Sequence, residues 1–266
     1  MRPDILFISH GGGPLPLLGD PGHQQMKTQL EALAAEYPKP SAILVISAHW
    51  EASVATVTSA PQPELIYDYA GFPPESYQIQ YPAPGEPALA AQVATAVRAA
   101  GMEVAESPQR GFDHGVFVPL KIMYPLADIP CIQLSLIRGL DAETHMRLGE
   151  ALQSLDYPGL LVIGSGFSFH NMRAFFSAES AEMKQANQAF QTWLEDTCCD
   201  PALDDHERRQ RLVNWEQAPA ARYCHPREEH LLPLHVCAGL ADSAADQHLH
   251  STILGKASGM YGWRRR

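Results

Sequence analysis

Three apolar runs of strand length end in histidine or in a short loop leading to one: Ile5-Leu-Phe-Ile-Ser-His10, Ala42-Ile-Leu-Val-Ile-Ser-Ala-His49 and Leu160-Leu-Val-Ile-Gly-Ser-Gly-Phe-Ser-Phe-His170. Continuous apolar runs predict strands buried on both faces, and in open α/β sheets the carboxyl ends of such strands are where ligands meet the protein. Each run therefore delivers an imidazole to the same sheet edge. Between the first two runs the spacing turns helical: Met26, Leu30, Leu33 and Ala34 predict a helix from His23 to Glu36, stopped by Pro38 and Pro40. A β-α-β opening of this kind predicts parallel pairing.

The alternation continues along the chain. Ser53 to Thr58 and Met102 to Ala105 predict short strands on either side of an alanine-rich helix from Glu86 to Ala100. Gly111-Phe-Asp-His-Gly115 predicts a loop, and Val116 to Tyr124 a helix in spite of Pro119. Pro130 to Leu136 predicts a buried strand, Asp141 to Leu155 a helix capped by Asp141, and Ala178 to Thr197 a long, mostly polar helix. Asp200 to Arg211 is charged and expected to be exposed. Pro233 is tolerable only in the first turn of a last helix, which places His230 at the start of that helix. His248 to Leu254 predicts the final strand. Together these elements predict one α/β domain over residues 1–266, with a mostly parallel central sheet flanked by helices and a metal site at the strand ends. The irregular stretch from Tyr67 to Gly85, rich in tyrosine and proline, predicts a long loop that either binds a ligand or packs on the surface.

Composition narrows the setting. A chain of 266 residues, 45% apolar and 18% charged, can bury a sizeable core without disulfides. Its net charge of -11 argues against nucleic acid or an anionic membrane as partner, and the basic tail Arg264-Arg265-Arg266 is too short to reverse that. The cysteines, 131, 198, 199, 224 and 237, form no C-x-x-C pair and are expected to be reduced. Met1 leads into a short strand with no signal-peptide pattern, and no apolar run approaches transmembrane length, so a cytoplasmic protein is expected. A homo-oligomer is compatible with the sequence, which does not specify one.

Of the twelve histidines, His10, His49, His114, His170 and His230 sit where a loop or helix end faces the strand edge. His23, His145, His206, His248 and His250 end no apolar run and are expected to be solvated or structural; His235 is expected to pack, and His225 is left open. Neutral imidazole is a common ligand of zinc, iron, copper and nickel, and three such ligands with open positions make a catalytic site.

A series of short motifs extends across nearly the whole chain: Ser9-His10-Gly11, Ser47-Ala-His-Trp50, Gly71-Phe-Pro73, Tyr81-Pro-Ala-Pro-Gly85, Gly111-Phe-Asp-His-Gly115, Tyr124-Pro125 through Pro130 to Leu134, His170-Asn171 and Glu229-His-Leu-Leu-Pro-Leu234. In these the chain resembles the class III extradiol ring-cleaving dioxygenases, specifically the single-subunit group that includes 4,5-DOPA dioxygenase. The resemblance implies cleavage of a DOPA-like or other single-ring catechol with O2 to a muconic semialdehyde. It implies Fe(II) held by His10, His49 and His230, the last at a position where related dioxygenases often supply a glutamate. A third neutral ligand leaves the cation one charge more positive, so zinc becomes a competitor in the isolated protein. Glu229 adjoins His230 but is expected to point elsewhere. His170 is similar to the family's acid/base, able also to close on the metal as a fourth ligand, and His114 to the histidine that contacts substrate or oxygen. The ending Met260-Tyr-Gly-Trp-Arg-Arg-Arg266 departs from the family's pattern.

Other classes are compatible with parts of the pattern. His10-Gly-Gly-Gly13 resembles the oxyanion loop of esterases, but no G-x-S-x-G elbow follows a strand. A zinc-dependent hydrolase and a non-catalytic metal-binding protein on the same fold complete the alternatives.

Overall fold

The computed structural model describes residues 3–264, so Met1, Arg2 and the final two residues of the arginine tail lie outside the described residues. In chain order the main elements are β1 (Asp4–Ser9), α1 (Gln24–Glu36), β2 (Ala42–Ala52), β3 (Ala55–Thr58), α2 (Pro87–Ala99), β4 (Val104–Ser107), α3 (His114–Met123), β5 (Cys131–Ile137) and α4 (Ala142–Leu152). There follow β6 (Leu160–Gly166), α5 (Met172–Phe175), α6 (Ala181–Cys199), α7 (Asp205–Val213), α8 (Ala221–Cys224), α9 (Leu232–Ala241), β7 (Gln247–Ile253) and β8 (Lys256–Trp263). The strands form one sheet in the order β4-β3-β5-β2-β6-β1-β8-β7.

The sheet is mostly parallel, as the apolar runs predict, with helices packed on it. β6 pairs in parallel with both β1 and β2, β2 with β5, and β3 with β4. The antiparallel pairings are β3 with β5, β8 with β1 and β8 with β7. One expectation needs correcting. β1 and β2 run in the same direction but do not pair, because β6 lies between them. A helical crossover dictates strand direction and leaves adjacency open, and β6, buried at every position, takes the central place.

Two other segments also differ. The sheet does not end at β7: Leu254 (φ 50°) and Gly255 (φ 77°) make a two-residue hairpin turn of the kind that fits twisted strands, and β8 returns along β7 to pair with β1. Residues 200–211 are not simply exposed. The α7 helix forms there and buries Arg208, whose guanidinium donates to the carbonyls of Thr197, Asp200 and Leu203. That satisfies carbonyls near the end of α6 and offsets the cost of burying the charge.

Contact between β6 and the start of α9 positions the site. The strand glycines Gly164 and Gly166 leave no side chain on the face where residues 230–233 pass. A Cβ on Gly166 would stand 2.2 Å from the carbonyl oxygen of His230, and one on Gly164 2.7 Å from that of Pro233. Phe167 N–H donates to that same His230 carbonyl at 2.9 Å. Gly166→Ala is therefore expected to push the His230 backbone off the strand, costing about 1–3 kcal/mol through overpacking. The melting temperature should fall, and metal content measured on the purified variant should fall with it. Unchanged values in both would show that this contact does not set the position of His230.

Among the described residues no helix is long and apolar enough to cross a membrane, and all five cysteines are free.

Candidate metal centre

His10 directly follows β1, His49 lies on the carboxyl-terminal part of β2 within the register shift between Ile46 and Glu51, and His230 sits just before α9, over Gly166. Their ring nitrogens converge. His49 Nε2 is 3.0 Å from His10 Nε2 and 3.3 Å from His230 Nε2. The opposite nitrogen of each ring faces an oxygen. Ser165 Oγ donates to the Gly115 carbonyl and so accepts from His10 Nδ1, at 3.1 Å. His230 Nδ1 is 2.9 Å from Glu229 Oε1, and His49 Nδ1 is 3.6 Å from Asp68 Oδ2.

Ser165 and Glu229 place the ring protons of His10 and His230 on Nδ1, the Asp68 carboxylate favours the same tautomer of His49 from longer range, and the three Nε2 atoms face one another. Burial, followed by the neighbouring imidazoles, holds His10 and His49 well below the ordinary histidine range. Burial and His170 bring His230 down to about 3, against the opposing pull of Glu229. Three unprotonated acceptors this close repel one another unless a cation stands between them. The residues present fit a divalent metal, and their donor atoms lie within 4.8 Å of one another.

His114 and His170 stand on either side of this group. His114 proves to be the first residue of α3 rather than part of a loop, and both its backbone N–H and its Nδ1 bond Asp68 Oδ1, at 2.9 and 2.8 Å. Its ring centroid is 3.9 Å from that of His49 and 5.3 Å from that of His10. Asp113, immediately before it, is fully buried and accepts from Ser47 Oγ at 2.7 Å, from Gln133 and from Arg110. His170, a short loop beyond β6, stacks on His230 with centroids 3.4 Å apart and 17° between planes. Its Nδ1 is 3.2 Å from Glu229 Oε1, so one carboxylate oxygen serves both rings. The His170 donor atom groups with those of Glu229 and His230 rather than with those of His10 and His49.

Glu229 thus lies on the Nδ1 side of His230, turned away from the converging Nε2 atoms, in keeping with the expectation that it points elsewhere. Burial raises its carboxyl, but hydrogen bonds from His170 and His230 outweigh that and hold it well below the usual carboxylate range. Asp68 behaves alike: burial raises it, and the stronger combined effect of His114 lowers it.

The long loop does more than pack. It carries Asp68, and Tyr69 stands edge-on to His114 with centroids 5.8 Å apart. The loop is held by Tyr67 and Tyr69 hydroxyls donating to the carbonyls of Ile79 and Ser76. Sequence reading passed over Asp68, Asp113, Ser165 and Gln133. Of these only Asp113 carries a signal, as the neighbour of His114 in its glycine-bounded motif.

The remaining histidines are mostly structural. His23 is buried beneath the glycine loop, accepting from Gly12 N–H at 2.9 Å and bonded to Asp20 at 2.6 Å. His145, His225 and His235 are buried and bonded to backbone groups, whereas His206 is exposed. No nucleophile elbow forms: Ser165 is bonded as above, and Ser168 is buried against Gln191.

Beside His170 and Glu229 opens a cavity of about 620 Å³, whose walls include Arg173, Met183, Tyr223 and Arg227. Arg173 and Arg227 are the cations on this cavity, and Arg227 is paired with Glu51 and lies 3.5 Å from Glu229. Lys121 is bonded to the Gln80 carbonyl, and Arg222 is paired with Glu216 and Glu228.

A family model described as the catalytic LigB subunit of aromatic ring-opening dioxygenase matches residues 5–261. The dioxygenase tasH of Hapsidospora irregularis is 41% identical over 260 residues, covering 89% of this chain and 78% of its own length. The 4,5-DOPA dioxygenase extradiol of Beta vulgaris is 38% identical, covering 90% of this chain and 87% of that protein. The protein of the same name in Escherichia coli is 32% identical over 91% and 86% of the two chains. Among solved structures, the uncharacterized protein JW3007 of Escherichia coli K12 superposes with a TM-score of 0.77 at 27% identity, covering 98% of this chain and 99% of that one.

Proposed function

The chain belongs to the family of the catalytic LigB subunit of aromatic ring-opening dioxygenases, and from that membership we propose that it cleaves a single-ring catechol, DOPA-like in size, using Fe(II) and O2. The observation that carries this reading is the convergence of His10, His49 and His230 Nε2 atoms 3.0 and 3.3 Å apart, with the His10 and His230 rings each bonded from behind to an oxygen and Asp68 facing His49 at 3.6 Å. Iron bound there would supply Lewis acidity toward the catechol hydroxyls and one-electron chemistry toward O2.

The chain's own residues supply the rest. With its Nδ1 proton given to Glu229, His170 offers Nε2 as the base that takes a proton from a substrate hydroxyl and returns it as the ring opens. The stacked His230 ring keeps that base in one orientation. His114, fixed through Nδ1 by Asp68, presents Nε2 to a second hydroxyl or to oxygen as a hydrogen-bond partner. Tyr69 and the long loop wall the His114 side and limit water there. We assign His170 the proton-transfer role rather than that of a fourth ligand, because Glu229 and the stacked ring already hold it beside the three-nitrogen group.

An all-imidazole set leaves the full charge of the cation uncancelled by a ligand. Glu229 and Asp68 compensate from behind the rings, through His230 and His49. The same neutral set also suits zinc, so the metal found after purification need not be the one that works. Loading metal-free protein with Fe(II) in the absence of air, adding a panel of catechols that includes DOPA, and admitting oxygen should produce a yellow semialdehyde seen by absorbance. The zinc-loaded protein should give none. Absence of colour with every catechol, with iron confirmed bound, would overturn the proposal.

A further inference from the structure

His248 and His250 were expected to be solvated or structural, yet the fold gives them a shared partner. Two residues apart on β7, they project to one face of the strand, with ring centroids 4.1 Å apart. Glu195, in the last turns of α6, reaches both: Oε1 is 3.2 Å from His248 Nδ1 and Oε2 is 3.4 Å from His250 Nε2. The Tyr261 ring stacks flat on His248, at 4.7 Å and 1°, and fixes the plane of that imidazole. One donor atom from each of the three residues lies within 4.8 Å of the others.

The charge here is unbalanced. Among the described residues, the ion pairs of Glu195 are with these two rings, and no lysine or arginine joins them. Two imidazoles and one carboxylate converging with no lysine or arginine beside them are a donor set that a cation can fill.

We propose that Glu195, His248 and His250 form a second divalent-cation site, separate from the three-histidine centre and selective for a borderline transition ion of the zinc class. Nitrogen donors disfavour magnesium and calcium, which take oxygen ligands. The His250 and Glu195 side chains remain 62% and 41% exposed, so water can complete the coordination.

Its place in the fold gives the site a consequence. The cation would join α6 to the β7–β8 hairpin, and the same two elements grip Ser168. Ser168 Oγ donates to Gln191 of α6 at 2.8 Å, Gln191 Nε2 donates back to the Ser168 carbonyl at 3.0 Å, and Gly259 N–H of β8 donates to Ser168 Oγ at 2.7 Å. Ser168 stands two residues before His170 in the loop that presents the proposed base. The edge site would therefore brace the support of His170 from behind, without touching substrate.

The test is a zinc titration of the metal-free full chain by equilibrium dialysis, with bound metal counted by mass spectrometry and folding followed by circular dichroism. The intact chain should bind two equivalents, His250→Ala and Glu195→Gln one each, and His49→Ala one. Zinc should also raise the melting temperature of His49→Ala, and the added substitution His250→Ala should remove that rise. A second equivalent that persists in His250→Ala and Glu195→Gln would overturn the proposal. So would an intact chain that binds a single equivalent and loses it in His49→Ala. An intact chain binding one equivalent, kept by His49→Ala and lost by His250→Ala, would support the edge site while overturning the three-histidine centre.

Discussion

Replacing His49 with alanine is expected to remove metal from the three-histidine centre and abolish ring cleavage together. His49 Nε2 is the nitrogen that the other two share, at 3.0 Å from that of His10 and 3.3 Å from that of His230. Its loss leaves two ligands on opposite sides of a gap. Removing an outer partner of a metal-binding histidine costs roughly 10–100-fold in affinity or activity, and removing the ligand itself should cost more. The fold should survive, because His49 is only half-buried and its Nδ1 makes a long contact with Asp68. The measurements are the Fe(II) affinity of the variant and its initial rate with the best catechol. Near-normal affinity and rate would show that the metal is held elsewhere and would remove the centre from the mechanism.

A milder change separates the ligand from its support. Asp68 bonds His114 through both Nδ1 and the backbone and faces His49 Nδ1. Asp68→Asn keeps the size but can accept through only one amide oxygen. The expected loss is smaller than in His49→Ala and falls on rate as well as on metal affinity, since the same side chain orients a ligand and a substrate-facing ring.

That two-sided role was illegible in the sequence, and the reason is physical. His10 and His49 could be read because an apolar run ends at each, and the strand-end rule converts a position along the chain into a position in space, although β2 itself continues three residues past His49 to Ala52. Asp68 lies in a loop without periodicity, so nothing local says which way its carboxylate turns. Glu229 was visible as the neighbour of His230, but not as the shared partner of His170 and His230, a relation created when β6 and the start of α9 cross at Gly166. Strand order was hidden for a similar reason. The apolar pattern of β6 marks it as buried, and only packing of the whole sheet inserts it between β1 and β2. At β8, Gly259 and Gly262 interrupt the run that would have announced a strand. His248 and His250 end no apolar run, and the residue that makes them chemically notable comes from a helix distant in sequence.

His170→Ala should give the opposite separation from His49→Ala: metal retained, turnover lost. The ring stacks on His230 and is bonded to Glu229, yet it lies outside the group of three converging nitrogens, so its removal leaves that group intact. What disappears is the base. General acid–base assistance contributes about 10²–10⁴-fold to rate, and the fall in kcat is expected in that range. KM should change less than kcat, because the ring acts on a proton in motion rather than on the bound ground state. Glu229→Gln tests the positioning argument directly. A glutamine oxygen in the place of Oε1 can still accept from both Nδ1–H groups, but it lacks the negative charge that polarises the two rings, and its amide nitrogen turns toward Arg227 in the place of Oε2. The expected loss is roughly 10–100-fold, intermediate between wild type and His170→Ala. If His170→Ala instead loses iron as completely as His49→Ala, His170 is a ligand and the proton must move through another group, with His114 the nearest alternative.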